Sequence, residues 1–291
     1  MAVVNTNVNA SIAQNALTRN ERAMNTAMER LSTGQRINSA SDDAAGLAIG
    51  SRMTSQIRGL ETGIRNANDA ISMIGTADGA LVEVTNMLQR MRELALQAAN
   101  GTTTSADRDY LNSEYVNLLS EIERIAQNTQ WNGNDILDGT ANGTSGTVAF
   151  QVGANGGQTV SVNFGNATNA AVATASGMLQ DVASAAPTIT AATTAAAVIK
   201  GTSAVTAIDT AITNVNSQRA TFGAAMNQLT YAVDNLSNVK VNAEASRSRI
   251  MDANYAEETS ELARTQIISQ AGTAMLAQAN QLPQTVLSLL Q

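Results

Sequence analysis

Three groups of residues have types and spacings that could do chemistry. Glu257, Glu258 and Glu261 place three carboxylates within about one helical turn, the raw material of a general acid–base pair. Asn132, Asn134, Asp135 and Asp138, interleaved with Gly133 and Gly139, resemble an oxygen-rich calcium loop. The triplets Asn142-Gly143-Thr144 and Asn166-Ala167-Thr168 match the acceptor pattern for N-linked sugar. Each has a plainer reading. The carboxylates fit a solvated helix face. The loop lacks the terminal bidentate Glu and its spacing, so it reads as a turn. The two triplets fall in an Asn/Thr-rich stretch where such matches arise by chance. The chain has no His and no Cys, which removes the commonest general base, the commonest transition-metal ligand and every thiolate. No phosphate-binding glycine loop and no zinc motif is present. No catalytic, cofactor-binding or metal-ligating residue is therefore assigned.

The elements that would have to position such groups are long helices. Of the 291 residues, 44% are apolar, but only three Phe, four Tyr and one Trp are aromatic. An apolar set of Ala, Leu, Ile, Val and Met suits helix seams better than the centre of a wide globule. The net charge of −7 and pI near 4.7 imply no basic face, so nucleic acid is not an expected partner. Arg outnumbers Lys fifteen to two, which leans towards interface use. No apolar run is long enough to span a membrane. The first twenty residues lack a basic start, an apolar run and a cleavage site, so export, if any, is expected by a route other than a cleaved signal.

Apolar ladders at 3/4 spacing run through both ends of the chain. One contains Ala13, Leu17, Met24 and Leu31; the longest runs from Ile57 to Ala98 and stops at Asn100-Gly101. A third, with Leu111, Tyr115, Leu118, Ile122 and Ile125, follows a Thr/Ser capping cluster and predicts an antiparallel return. The period then changes to two at Val148, Phe150 and Val152 and again at Val160, Val162 and Phe164, with Gly153–Gly157 between them, which predicts a hairpin. Helical period returns from Val205 to Ile250 and continues through Ile268, Ala271, Met275 and Leu282. The fold class expected is mainly α, a long bundle or coiled coil from both chain ends with a small β-hairpin region in the middle. The outermost ladders, narrow and rich in Ala, Gln and Asn, bury little surface as a pair. They gain stability only beside copies of themselves. Ala13, Leu17, Met24, Leu31, Ile268, Ala271, Met275 and Leu282 are the expected polymerisation seams.

Longer motifs carry a family resemblance. Glu29-Arg30-Leu31-Ser32-Thr33-Gly34-Gln35-Arg36-Ile37-Asn38, continuing through Ser41-Asp42-Asp43-Ala44-Ala45-Gly46, resembles the flagellin N-terminal signature, as does Leu88-Gln89-Arg90-Met91-Arg92-Glu93-Leu94-Ala95. Asn216–Ala220, Ser246–Ala253 and Ala271–Gln281 resemble its C-terminal region, so the likeness covers residues 1–165 and 203–291. The resemblance implies an inner-core coiled coil of residues 1–44 with 251–291. It implies a helical bundle with hairpin of 45–165 with 202–250, and a short variable segment at 166–201. It also implies a filament subunit outside the cell, exported through a type III channel, whose partners are itself, an export chaperone on the C-terminal helix, and the filament cap and hook-junction proteins. A Toll-like innate-immune receptor is a further implied partner, with contacts at Gln89, Arg90, Leu94, Gln97 and Glu114; Leu118 stands where recognised members often carry a basic residue. The runner-up is a hook–filament junction protein. A protease insert, carried by a few members, is not expected here, because residues 139–200 hold no His and no acidic cluster.

Overall fold

The computed structural model describes residues 7–141, 146–168 and 194–288, with side chains from 200 to 281 in the last stretch. Asn142, Leu282 as a side chain, and most of the 166–201 segment lie outside the described residues. Five helices carry the described chain: α1 (Val8–Thr33), α2 (Ala44–Ala99), α3 (Ser105–Asn128), α4 (Thr194–Met251) and α5 (Tyr255–Ser288). Two antiparallel hairpins lie between α3 and α4: β1 (Gln130–Trp131) with β2 (Asn134–Asp135), and β3 (Thr147–Gln151) with β4 (Thr159–Asn163). The chain forms two compact units, one of Met1–Ile57 with Val241–Gln291 and one of Arg58–Lys240. Their boundaries fall inside α2 and α4. Residues 44 and 251, where the sequence suggested division, mark helix ends.

In the Arg58–Lys240 unit, α2 buries Leu60, Ala67, Ile74, Leu81, Leu88 and Ala95 on one rung and Ala70, Ala77, Val84, Met91 and Ala98 on the other. Both rungs repeat every seven residues, the signature of a coiled-coil seam. On α4, Ile208, Val215, Phe222 and Leu229 repeat at the same interval and are buried too. Ion pairs fix the antiparallel register of these helices: Glu61 with Lys240 at 2.8 Å, Asp78 with Arg219 at 2.8 Å, and Arg92 with Asp209 at 2.6 Å. Helix α3 returns along α2 behind a capping box, in which Thr104 Oγ1 accepts from Asp107 N–H and the Asp107 carboxylate accepts from Thr104 N–H. Arg108, buried in the turn, donates to Ala98 O at 3.1 Å and Asn100 O at 3.2 Å. Its charge thus satisfies the carbonyls at the negative end of α2.

The larger hairpin forms as expected, pairing Val148 with Val162 and Phe150 with Val160. It lies close on α2. A Cβ at Gly63 would sit 2.6 Å from Val152 O, and Asn66 Nδ2 donates to Gln151 O at 3.0 Å. Phe164, fully buried beyond β4, packs on Phe222 with centroids 5.4 Å apart and the rings tilted by 52°. The chain then passes Asn166, bridged to Asp138, and Ala167, whose N–H donates to Leu137 O at 2.8 Å. Where it returns on α4, Gly201 lies against Ala99, leaving a Cβ only 2.9 Å from the alanine methyl. The smaller hairpin turns at Asn132 (φ 50°) and Gly133 (φ 80°), a two-residue turn whose positive φ at both positions matches the twist of paired strands.

In the other unit, Gly34 ends α1 in the left-handed conformation (φ 72°), and its N–H donates to Arg30 O at 2.9 Å. The following loop pairs with the α4–α5 break: Arg36 N–H donates to Met251 O and Ala253 N–H to Gly34 O. Asp42 accepts from the N–H groups of Ser39 and Asn38, which holds its carboxyl below the usual range. Asp43 then caps α2 by accepting from Gly46 N–H at 2.9 Å.

Candidate assembly surface

Helices α1 and α5 pack antiparallel, and polar bonds set their register. Asn7 Nδ2 donates to Ala279 O at 2.8 Å, and the buried Asn20 Nδ2 donates to Thr265 O at 2.7 Å. Arg30 at the end of α1 pairs with Glu258 at the start of α5 across 2.9 Å. Each charge in that pair also complements its own helix dipole. A buried Asn in a helix seam favours one register over its slipped alternatives.

The eight expected seam residues divide between two faces. Ala13, Leu17, Met24 and Leu31 are half-buried, on the same side of α1 as the buried Asn20 and Ala27. On α5 the residues turned to α1 are Glu258, Leu262, Thr265, Ser269, Gly272, Leu276 and Ala279, and a Cβ at Gly272 would lie 3.2 Å from Leu17 Cδ1. Ile268, Ala271 and Met275 instead lie on the exposed side of α5. Together with Ile267 they form an outward stripe, in which Ile267 and Met275 are 67% and 66% exposed. On α1, Val8, Ile12 and Met28 are large apolar side chains left exposed as well. Ile268, Ala271 and Met275 were expected as polymerisation seams; the small and polar residues of α5 that pack on α1 were not singled out in the sequence. The only signal for the latter was the 3/4 spacing of Leu262, Thr265, Ser269 and Gly272.

The residues first singled out for chemistry have other partners. Glu258 is paired with Arg30 and Glu261 with Arg264 at 3.1 Å, at the N-terminus of α5 where carboxylates are favoured. Asp138 accepts from Thr140 N–H and Oγ1 at 2.8 and 2.6 Å, closing a turn. No group of three acidic, His or Cys side chains converges among the described residues. Asn166 Oδ1 accepts from Thr168 N–H and Oγ1, its Nδ2 packs on Gly139, and Thr168 is buried.

Gln89, Arg90, Gln97 and Glu114 lie exposed on α2 and α3. Arg90 bridges Glu114 and Glu93 at 2.9 and 3.0 Å, and these pairings, Glu114 first, hold its charge more firmly. Leu94, named with them as an apolar contact, is 1% exposed. It lies between Met91 and Ala98 in the α2 core, so its side chain is a packing residue and is absent from this surface.

The family profile for the bacterial flagellin N-terminal helical region matches residues 4–142, and that for the C-terminal helical region matches 205–290. The chain belongs to the bacterial flagellin family. It is 44% identical to a flagellin of Halalkalibacterium halodurans, covering 99% of this chain and all of the relative. It is 36% identical to Flagellin A of Vibrio cholerae, covering 99% of each. A putative flagellar hook-associated protein from Vibrio parahaemolyticus shares the fold, with a TM-score of 0.58 at 18% identity, covering 72% of this chain and 100% of that one. This flagellin is a structural subunit of the flagellar filament, an extracellular polymer of like subunits. None of its described helices is long and apolar enough to cross a membrane.

Proposed function

We propose that this flagellin polymerises by packing the outer stripe of α5, with Val8 and Ile12 of α1, against the terminal helices of neighbouring subunits. The supporting observation is the placement of Ile267, Ile268 and Met275. A two-helix pair that already buries its inner face keeps a second apolar face in water. At about 25 cal/mol per Å² of apolar area, covering such a stripe in every subunit favours a long polymer over the free chain. The role is mechanical, without catalysis. Electron microscopy of the full-length protein beside a version lacking residues 1–40 and 255–291 tests it. Long filaments from the full-length protein alone are expected; equal polymerisation of the truncated protein refutes the role of the terminal helices. Failure of both under seeding favours the hook–filament junction reading, whereas micrometre-scale polymers from pure protein exclude it.

Family membership supports a further set of partners. An export chaperone covers the C-terminal helix, roughly residues 250–291, before passage through a type III channel. Cap and hook-junction proteins meet the ends of the polymer. A Toll-like receptor contacts the polar patch of Gln89, Arg90, Gln97 and Glu114. Charge reversal at Arg90 should abolish receptor activation by free subunits, and unchanged activation counts against that assignment.

A further inference from the structure

Two methionines among the described residues are exposed, Met28 and Met275, and both lie on the terminal helices. Met73 and Met91 are in the core, 8% and 0% exposed. The two exposed thioethers have different surroundings. On α1 the neighbours of Met28 one turn away are the exposed Asn25 and Ser32 on one side and the half-buried Met24 and Leu31 on the other. Met275 stands one turn from Ala271 and two from Ile268, inside an apolar stripe. A polar oxygen added to Met28 would border Asn25 and Ser32, whereas one added to Met275 would enter the apolar stripe that Ile267, Ile268 and Ala271 form.

We propose that Met275 is a peroxide-sensitive site that controls assembly: its sulfur is oxidised in the free subunit, and the sulfoxide blocks addition to a growing polymer. The proposal rests on the reading that a neighbouring subunit covers the outer face of α5. In the reaction a sulfur lone pair attacks one peroxide oxygen and the O–O bond breaks. The sulfur is oxidised to sulfoxide, and the other oxygen leaves as water after taking up the proton. The flexible apolar side chain becomes polar and chiral. Burying that oxygen unpaired in a subunit contact costs enough to raise the critical concentration on the order of tenfold. In the polymer the sulfur is covered, so assembled subunits resist the same oxidant.

The test treats unpolymerised full-length protein with a limiting dose of hydrogen peroxide, quenches it with free methionine, maps sulfoxide by peptide mass, and measures extension of short seeds. Expected are sulfoxide at Met28 and Met275 but not at Met73 or Met91, about a tenfold rise in critical concentration, and recovery after methionine sulfoxide reductase. The Met275→Leu protein should assemble untreated and keep assembling after peroxide. Seed extension by Met275-oxidised subunits at the untreated rate overturns the proposal. So does peroxide sensitivity in Met275→Leu equal to that of the parent, which would assign the effect to another thioether. Preformed filaments given the same dose separate the underlying reading from the proposal. Protection of Met275 there supports covering of α5, and equal oxidation in filament and free subunit refutes that covering and the proposal with it.

Discussion

Tyr115 is fully buried on α3, and its hydroxyl has no hydrogen-bond partner among the described residues. Burial alone pushes its pKa from 10.0 up to about 12. In the unfolded chain the phenol ionises near 10, so between pH 10 and pH 12 the unfolded state binds fewer protons than the folded one. Stability is therefore fully retained below pH 10 and lost as pH rises towards 12. Two pKa units at 1.36 kcal/mol each amount to about 2.7 kcal/mol. Replacing Tyr115 with Phe removes both the titration and the orphan hydroxyl. The variant should be more stable by about 1 kcal/mol below pH 10, since an unpaired buried polar group is unfavourable by roughly 1–3 kcal/mol. The gap should then widen by a further 2–3 kcal/mol by pH 12. Urea unfolding of dilute, unpolymerised protein, parent beside variant at each pH, cancels the other groups that titrate there. A difference curve flat from pH 8 to 12 would refute the reasoning.

Other substitutions probe the elements that position the assembly surface and the bundle. Gly63→Ala drives a methyl into the Val152 carbonyl, so the hairpin must shift; a loss of 1–3 kcal/mol typical of overpacking is expected in urea unfolding, and an unchanged midpoint would show that the hairpin moves freely. Arg108→Met keeps the stem but strands the α2 carbonyls, and should lower stability by about 1.5–3 kcal/mol; equal stability would mean that water serves them as well. Ala27, 1% exposed in the α1–α5 seam, has no room for a larger side chain. Ala27→Leu should separate the helices and suppress filament formation at concentrations where the parent polymerises, leaving soluble subunits; normal filaments by electron microscopy would contradict so tight a seam.

The helices of the bundle were legible because their cores are large apolar residues at a regular interval, as from Leu60 to Ala95. The hairpin was legible because Val148, Phe150, Val160 and Val162 alternate. The inner face of α5 was not, because Thr265, Ser269 and Gly272 pack by being small, and hydropathy does not register close backbone approach. On α1 the side turned to α5 follows the apolar period, since Leu17, Met24 and Leu31 are apolar and the buried Asn20 falls in step with them. Arg108 gave no signal, because a lone Arg near a helix start is ordinary on a surface and only the turn that buries it makes it a cap. The β1–β2 strands are too short for periodicity, although Asn132-Gly133 is the dipeptide such a turn prefers. Leu94 shows the reverse case. A motif read as a contact surface contains a residue that the structure buries in the core.

The chain is tied down on both sides of residues 169–193. Ala167 is hydrogen-bonded to Leu137 before the segment, and Gly201 is seated on Ala99 after it. Those two anchors make the interval a socket whose rim is independent of what fills it. Closing a loop becomes harder only with the logarithm of its length, about 0.6 kcal/mol for each doubling. Inserts of quite different size are therefore compatible with one helical frame. Selection can rewrite that interval wholesale while the helices on either side stay bound by their own register.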